Sequence, residues 1–555
     1  MKSLAILTNG GDTCALNASI RSIRDNAYKA GYKKIYVIRR GYQGLVDGWI
    51  DDITDTQIDP RIGGSCLGSL RISPTDKCSE EERKETGERY KINEERCIKM
   101  AECLSDFRID VLVVIGGDGT LQATKKFQDW VDQQRAAKRF RPFEIIGFLK
   151  TIDNDIRTFT NFQGIEVSLC PGFPSAVKKI VSCVEALRVT TRTAERAFSI
   201  ETMGRDAGWL AAAATFGGAE ILLVPEHMDI YRKAVLEANA STEVVSNRVI
   251  SDLVDEIAHF YEKNRNVLIA VAEGFEPKID IENLKKFTEI IRNLYGERKK
   301  VGATELITML VRPVLEHYFH CLSYICAHKN DAADLSEMME KAIGRAGREV
   351  SESYEEYKKS ESHPLKDWDA KERLGRALRV GETTESRTQS LEGDSQPAQS
   401  MESRTQSLEG NSQPAQSEVG PSEESHRTPC SKPPYKFEIR PHRTDYVPRS
   451  GPPSSYDYKL ATVLGRKLGE MLLPENSEFG AVPALKDVVP YSKLTLDAMR
   501  VTQIDEIRTL NFGSLDYFKT DCYLQVSERI TDFFRTIMSG PEDIEEAIIE
   551  TNTLI

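Results

Sequence analysis

Val111-Leu112-Val113-Val114-Ile115 runs into Gly116-Gly117-Asp118-Gly119-Thr120, and farther on Ile145-Ile146-Gly147-Phe148-Leu149 runs into Lys150-Thr151-Ile152-Asp153-Asn154-Asp155. Both halves have the same design: a continuous apolar, β-branched run that ends in a polar turn. Continuous apolar runs of this length are what a strand buried on both faces of a parallel sheet requires. In open α/β sheets the ligand sits off the carboxyl ends of such strands. Here those ends offer glycine amides and a carboxylate in one turn, and a lysine and two carboxylates in the other. Phosphates, a metal ion and a proton acceptor would all find partners there.

The chain extends the same alternation in both directions. Leu4–Leu7 reads as a strand that ends at Asn9-Gly10-Gly11-Asp12, with a helical pattern from Ala15 to Lys29 behind it. Lys34–Ile38 reads as a second strand, ending at Arg39-Arg40-Gly41-Tyr42-Gln43-Gly44. A charged helical stretch is expected from Ser79 to Leu104. Beyond Asp155, strands are expected at Ala197–Glu201, Ile221–Val224 and Val267–Ala272, with an alanine-rich helix from Trp209 to Thr215. Alternating strands and helices predict mostly parallel sheets covered on both faces.

The bulk numbers fit this class. The 555 residues are 40% hydrophobic and 29% charged, enough chain for several domains. No apolar run approaches the roughly 20 residues of a membrane span, and Met1–Thr8 reads as a first strand rather than a signal peptide. The eleven cysteines are scattered without a Cys-x-x-Cys pair, so reduced thiols and a cytoplasmic location are expected. A formal net charge of −12 argues against nucleic-acid binding. It also means that any anionic substrate needs a local cluster of cations.

From about residue 285 the character changes. Residues 285–350 are helical in pattern, with apolar patches at Leu306–Leu310 and Tyr318–Cys326. His317, His320, Cys321, Cys326 and His328 have no standard zinc spacing and are expected to be core or interface residues. Residues 351–436 are polar and carry a tandem repeat, ESRTQSLEGDSQPAQS at Glu385–Ser400 and ESRTQSLEGNSQPAQS at Glu402–Ser417. Disorder is expected there. A helix is expected from Ser455 to Leu472, within a mixed α/β tail.

The two turns carry the chemistry. Glycines at 116, 117 and 119 would let backbone amides approach a phosphate, with the following helix presenting its N-terminus to the anion. Asp118 is placed to reach a magnesium ion held by phosphates. A carboxylate of Lys150–Asp155 can accept a hydroxyl proton during transfer. Taken alone, the two turns indicate a kinase without saying which.

Several pieces in order resemble the phosphofructokinase family, whose members phosphorylate fructose 6-phosphate on its 1-hydroxyl. They are Gly10-Gly11-Asp12 with Asn17, Gly41-Tyr42, Leu67-Gly68-Ser69 with Arg71, Gly116–Thr120, Lys150–Asp155, Met203-Gly204-Arg205, Glu273-Gly274, and Tyr446 with Arg449. The resemblance implies two Rossmann-like three-layer α/β/α domains with the active site in the cleft between them. Residues 1–165, completed by part of 450–510, would bind the phosphoryl donor. Residues 166–275, completed by 436–450 and part of the tail, would bind fructose 6-phosphate. A helical insertion at 276–350 and a disordered one at 351–436 would precede a C-terminal α/β segment at 437–555.

The resemblance also implies roles. Asp153 would be the general base, with Lys150, Thr151, Asp155 and Arg205 completing the catalytic group. Thr151, Asp153, Met203, Gly204, Arg205, Glu273, Tyr446 and Arg449 would hold the sugar phosphate, and Arg196 and Arg440 would reach it from a neighbouring subunit. Gly11, Tyr42, Arg71, Asp118, Gly119 and Thr120 would hold the donor, and Asp118 the Mg2+. A homo-oligomer, dimer or tetramer, follows from the shared site. The chain departs from the family pattern at Cys14-Ala15, at Leu149 before Lys150, and at Cys170–Ser175, which looks inserted.

The donor is divided between two residues. Glycine at 119 leaves room for a nucleotide's α-phosphate, where pyrophosphate-dependent members typically carry aspartate. Lysine at 150 is shared with those members. ATP is favoured over pyrophosphate. A non-catalytic regulatory subunit that binds sugar phosphates is the third reading, and it is disfavoured because Asp118, Asp153, Asp155 and Arg205 are all present.

Overall fold

A computed structural model describes residues 2–70, 72–88, 90–135, 139–278, 302–328 and 435–553. Two sheets organise them. In the first, the strand order is Ile50–Asp52, Tyr32–Ile38, Lys2–Thr8, Val111–Gly116, Glu144–Leu149. All neighbours run parallel except the short edge strand Ile50–Asp52. The register pairs Leu4 with Val111 and Ile115 with Phe148, so the two turns emerge side by side at the same sheet end. The second sheet, ordered Ile221–Leu223, Val267–Ala272, Ala197–Thr202, Ile439–Arg443, is parallel throughout.

The apolar runs form these strands because both of their faces are covered. Every residue of Val111–Gly116 and of Val267–Ala272 is buried. Leu16–Lys29 packs against the helix Ser455–Met471, which brings the C-terminal segment onto the first sheet. Gly465 permits the approach: a Cβ there would lie 2.2 Å from Ser22 Oγ.

The structure corrects one expectation about secondary structure. The charged stretch from Ser79 is two helices, Glu80–Thr86 and Glu94–Asp106, with a strand Tyr90–Ile92 between them. The cause is Gly87, which ends the first helix at φ 72°, a left-handed cap that glycine adopts without steric cost. The strand then pairs with Thr75–Lys77, and a repeating charged pattern does not reveal that pairing.

The stretch expected to be helical contains one described helix, Ala303–His328. It lies against Ala197–Thr202 and Ile439–Arg443, and Ile307, Val311, Leu315, Tyr318, Phe319 and Leu322 are all fully buried in the main core. Phe319 stacks on Phe437 and Tyr435. His317 and Cys321 are buried beside each other, 3.7 Å apart, and no cluster of three metal-ligating side chains occurs among the described residues. The helix is therefore one of the layers covering the second sheet. Of the segment expected to be disordered, residues 351–434, with the repeat, lie outside the described residues; its last two, Tyr435 and Lys436, are described, and Tyr435 is buried against Phe319 rather than disordered. No helix among the described residues is long and apolar enough to cross a membrane.

Leu315 distinguishes a core helix from a surface insertion. Leu315→Ala is expected to lower stability by about 2–5 kcal/mol, the cost of a buried cavity. The shift of the denaturant midpoint measures it, and a change within about 0.5 kcal/mol would mark a surface position.

Candidate active site

The turn after Val111–Gly116 closes through Thr120 N–H and Leu121 N–H, both donating to Gly117 O at 3.0 Å. This begins the helix Asp118–Arg135, whose N-terminus faces the cleft with the amides that an anion needs. Gly116 has no room for a side chain, since a Cβ would sit 2.3 Å from Thr120 Cγ2. At Gly119 nothing lies within 4 Å of an added Cβ, so the space above it is open. Asp118 accepts two hydrogen bonds from Gln122 Nε2 at 2.8 and 2.9 Å.

The neighbouring turn is held from three sides. Lys150 N–H donates to Gly116 O at 3.0 Å and Thr151 N–H to Pro171 O at 3.2 Å. Leu510 N–H donates to Asp155 O at 2.7 Å. Thr151 Oγ1 accepts from Asp153 N at 3.0 Å, which fixes the bend that turns the Asp153 side chain into the cleft. Asn154 is left-handed at φ 57° and its amide donates to Ser168 O at 2.6 Å. The apparent insertion at Cys170–Ser175 is the start of the helix Phe173–Ala194. Gly172 N–H and Ser175 reach the carboxylate of Asp457 there.

These turns, the Gly10–Thr13 turn, the Arg205–Ala207 turn and Arg449 surround a cleft of about 620 Å³, a size typical of small-molecule sites. Asp153 is 8% exposed, and its Oδ1 is buried with no partner. Its Oδ2 lies 4.0 Å from Arg205 Nε. Lys150 is 4% exposed and its ammonium donates to Gly11 O. Arg449 Nη1 lies 4.0 Å from Asp12 Oδ1, and Arg449 Nε is buried without a partner. Orphaned charged atoms in residues that line one cleft are costly unless a ligand satisfies them.

The electrostatics point the same way. Burial lifts the Asp153 carboxyl above the usual carboxylate range, against the opposing pull of Arg205 and Arg449. The Asp155 carboxyl is pushed up to about 7, by burial and then by repulsion from Asp153 and Asp118. The Lys150 ammonium is pushed down to about 8, by burial and then by repulsion from Arg449. A proton acceptor, a carboxylate cluster and several cations thus share one cavity at the cost of folding stability, which is the signature of a reactive site.

Of the residues expected here, Gly11, Asp118, Gly119, Thr120, Lys150, Thr151, Asp153, Asp155, Arg205 and Arg449 line the cleft together. Gly204 and Glu273 stand behind it: Glu273 Oε1 accepts from Arg205 N at 2.9 Å, and Gly204 takes φ 138°. Met203 is half-buried beside them. Tyr42 is different. It is fully buried, and its hydroxyl shares a 2.7 Å hydrogen bond with Thr124, so it belongs to the core behind the donor turn and does not line the cleft. Tyr446 is 72% exposed and lies outside it. Arg196 and Arg440 also lie outside it, converging on Glu438 at 3.5 and 2.5 Å. Arg71 lies outside the described residues.

Tyr90, Thr509 and Asn511 also line the cleft and were not expected. Tyr90 sits in a stretch whose charge pattern reads as helix. Thr509 and Asn511 come from a tail with no motif of its own, and long-range bonds such as the pairing of Arg508–Thr509 with Ile156–Arg157 bring them in.

Magnesium fits the donor set in one way only. No three ligating side chains among the described residues cluster for a metal, so a cage built from protein alone is not available. One or two carboxylates beside a phosphate-binding turn are what Mg2+ uses when it arrives on phosphates, and Asp118 and Asp155 are the carboxylates that would supply them.

The phosphofructokinase family model matches residues 3–310. The chain belongs to the phosphofructokinase family. It is 36% identical over 240 residues to the ATP-dependent 6-phosphofructokinase of Oceanobacillus iheyensis, covering 42% of this chain and 63% of that one. It is 33% identical over 262 residues to the ATP-dependent 6-phosphofructokinase of Lacticaseibacillus casei, covering 47% of this chain and 71% of that one. The match thus spans just under two thirds of the Oceanobacillus relative's length. Among solved structures, the pyrophosphate-dependent phosphofructokinase of Nitrosospira multiformis matches with TM-score 0.53 at 14% identity, covering 98% of this chain and 93% of that chain. The Marinobacter aquaeolei pyrophosphate-dependent phosphofructokinase gives TM-score 0.50 at 15% identity, covering 98% and 94%. At such identities these two establish the fold alone.

Asp155 gives a pH test. Its folded pKa lies above its unfolded value, so the folded state holds its proton more tightly and stability falls as pH rises from about 4 to about 7. Asp155→Asn is expected to remove that loss. Chemical denaturation at pH 4 should find the two proteins similar, and at pH 8 the variant should be more stable by roughly 2–4 kcal/mol. Equal stability at both pH values would contradict the assignment.

Proposed function

We propose that this protein transfers the γ-phosphoryl group of ATP, bound with Mg2+, to the 1-hydroxyl of fructose 6-phosphate, giving fructose 1,6-bisphosphate, the committing step of glycolysis. The observation that carries the reading is the buried carboxylate of Asp153. It has one unpartnered oxygen, the Arg205 guanidinium at 4.0 Å, and shares its cleft with the Gly117–Thr120 phosphate turn.

Asp153 accepts the hydroxyl proton as the oxygen attacks, and its raised pKa makes it a stronger base than a surface carboxylate. Arg205, 64% exposed in its side chain, is free to swing onto the transferring group. Arg449 and Arg205 hold phosphate bidentately. The amides of 117–120 hold the donor, and Asp118 and Asp155 would hold the Mg2+ that it carries. Bound Mg2+ supplies charge neutralisation of the donor phosphates. Catalysis of this kind is mostly positioning and electrostatics.

ATP is the favoured donor because the space above Gly119 is open, and because the relatives above are named for ATP. Pyrophosphate is the second reading, favoured by Lys150, whose ammonium stands in the cleft on Gly11 O. Arg196 and Arg440, outside the cleft and joined through Glu438, are proposed to serve the sugar site of a neighbouring subunit in a cytoplasmic dimer or tetramer.

Purified protein with fructose 6-phosphate and each donor tests the assignment directly, and turnover with pyrophosphate alone would overturn the ATP reading. Asp153→Ser is expected to lower kcat by about 10²–10⁴-fold, and an unchanged rate would remove Asp153 from the role of base. Gly119→Asp should fold normally, since its side chain meets open space. It should raise KM for ATP by about tenfold or more through a negative charge set against the donor phosphates, leaving KM for fructose 6-phosphate unchanged.

A further inference from the structure

Glu226 lies outside the cleft, yet one of its oxygens is bonded to two of the segments that form it. It follows the strand Ile221–Leu223 and is 7% exposed. Oε1 accepts from Gly208 N–H at 3.0 Å and from Phe512 N–H at 2.7 Å. Gly208 ends the turn whose residues Arg205, Asp206 and Ala207 line the cleft, and Phe512 follows the Thr509–Asn511 strap that lines it from the C-terminal segment. The two segments are about 300 residues apart in sequence, and the carboxylate comes from neither.

The strap is fastened at its other end to the sugar-side turn. Arg508 and Thr509 pair with Arg157 and Ile156, and Leu510 N–H donates to Asp155 O at 2.7 Å. Trp209 adds an indole N–H to Leu510 O at 3.2 Å and an edge contact to Phe512 at 5.0 Å. A continuous run of bonds therefore leads from the Asp153–Asp155 turn through the strap and Glu226 to the turn bearing Arg205. Without the carboxylate, the Gly208 and Phe512 amides would both be buried donors with no acceptor.

We infer that Glu226 is a positioning residue for the transfer reaction, its Oε1 clamping the C-terminal strap to the Arg205 turn and so setting the spacing of Arg205 from Asp153. The assignment rests on the phosphotransfer reading above. Space at the clamp is closed to substitutes: a Cβ on Gly208 would lie 2.4 Å from Val224 Cγ1 and 3.1 Å from Glu226 Oε2. Oε2 is buried without a partner, so only Oε1 does the clamping. Burial pushes the carboxyl up to about 7, opposed first by the residue's own backbone amide and then by the Gly208 and Phe512 amides. Both protonation states keep Oε1 as an acceptor, and so does an amide. Its neighbour His227 is held neutral, burial driving it down to about 4.

Three proteins test the clamp: the unsubstituted chain, Glu226→Gln and Glu226→Leu. In the unsubstituted chain the Gly208 and Phe512 amides are expected to be protected from hydrogen exchange, and fast exchange at both would overturn the clamp without any variant. Glu226→Gln keeps the acceptor and should keep this protection, with kcat within about threefold of the parent. Glu226→Leu fills the space without an acceptor. It should lose protection at residues 204–208 and 509–513, lower kcat and raise KM for fructose 6-phosphate by about tenfold or more, and leave KM for the donor unchanged. A Gln variant as impaired as Leu, or a Leu variant with a lower melting temperature but unchanged kinetics, overturns the positioning role. Hydrogen exchange needs no substrate. If the parent turns over no sugar phosphate while the exchange pattern holds, the reaction assignment falls and the clamp stands.

Discussion

The in-register parallel pairing of Val111–Gly116 with Glu144–Leu149 is the constraint on which the rest depends. It ends both strands at the same level, so that Lys150 N–H bonds Gly116 O and the phosphate turn touches the carboxylate turn. A Cβ on Gly117 would lie 3.3 Å from Lys150 O, which shows how little separates them. A register slip of one residue would turn each buried side chain to the opposite face and part the two turns.

That closeness has an electrostatic consequence. Burial lifts the Asp153 and Asp155 carboxyls, and repulsion from Asp153 and Asp118 adds to the penalty at Asp155. Lys150 is displaced in the opposite sense because it too is buried. The sheets, with both faces covered, supply the apolar burial that offsets these costs. Arg205 and Arg449 bring positive charge into the cleft within a chain of net charge −12, which suits an anionic ligand.

The second constraint is that the cleft is not closed by the motif-bearing half alone. The C-terminal segment returns across the chain: Ser455–Met471 on the first sheet, Asp457 at the start of Phe173–Ala194, and Arg508–Thr509 on Ile156–Arg157. Ala303–His328 likewise completes the cover of the second sheet. Each of these elements is amphipathic or polar by itself and carries no chemical motif, so nothing local states which surface it will cover.

Local sequence determined what chain-local physics can determine. Continuous β-branched runs must be buried strands, glycine turns must follow them, and charged residues at strand ends must face a cleft. This made the parallel sheets, both polar turns and the cluster Lys150, Asp153, Asp155 legible, while Arg205 was legible only through the resemblance to the family. What required the tertiary structure was every property set by a partner distant in the chain. Tyr42 follows the same kind of strand end as Gly11, but the Asp118–Arg135 helix covers it and bonds its hydroxyl, so it faces the core. Tyr90 enters the cleft because Gly87 broke a helix. Thr509, Asn511 and Glu226 are joined to the site by backbone hydrogen bonds across about 300 residues, and a backbone donor leaves no mark in the sequence.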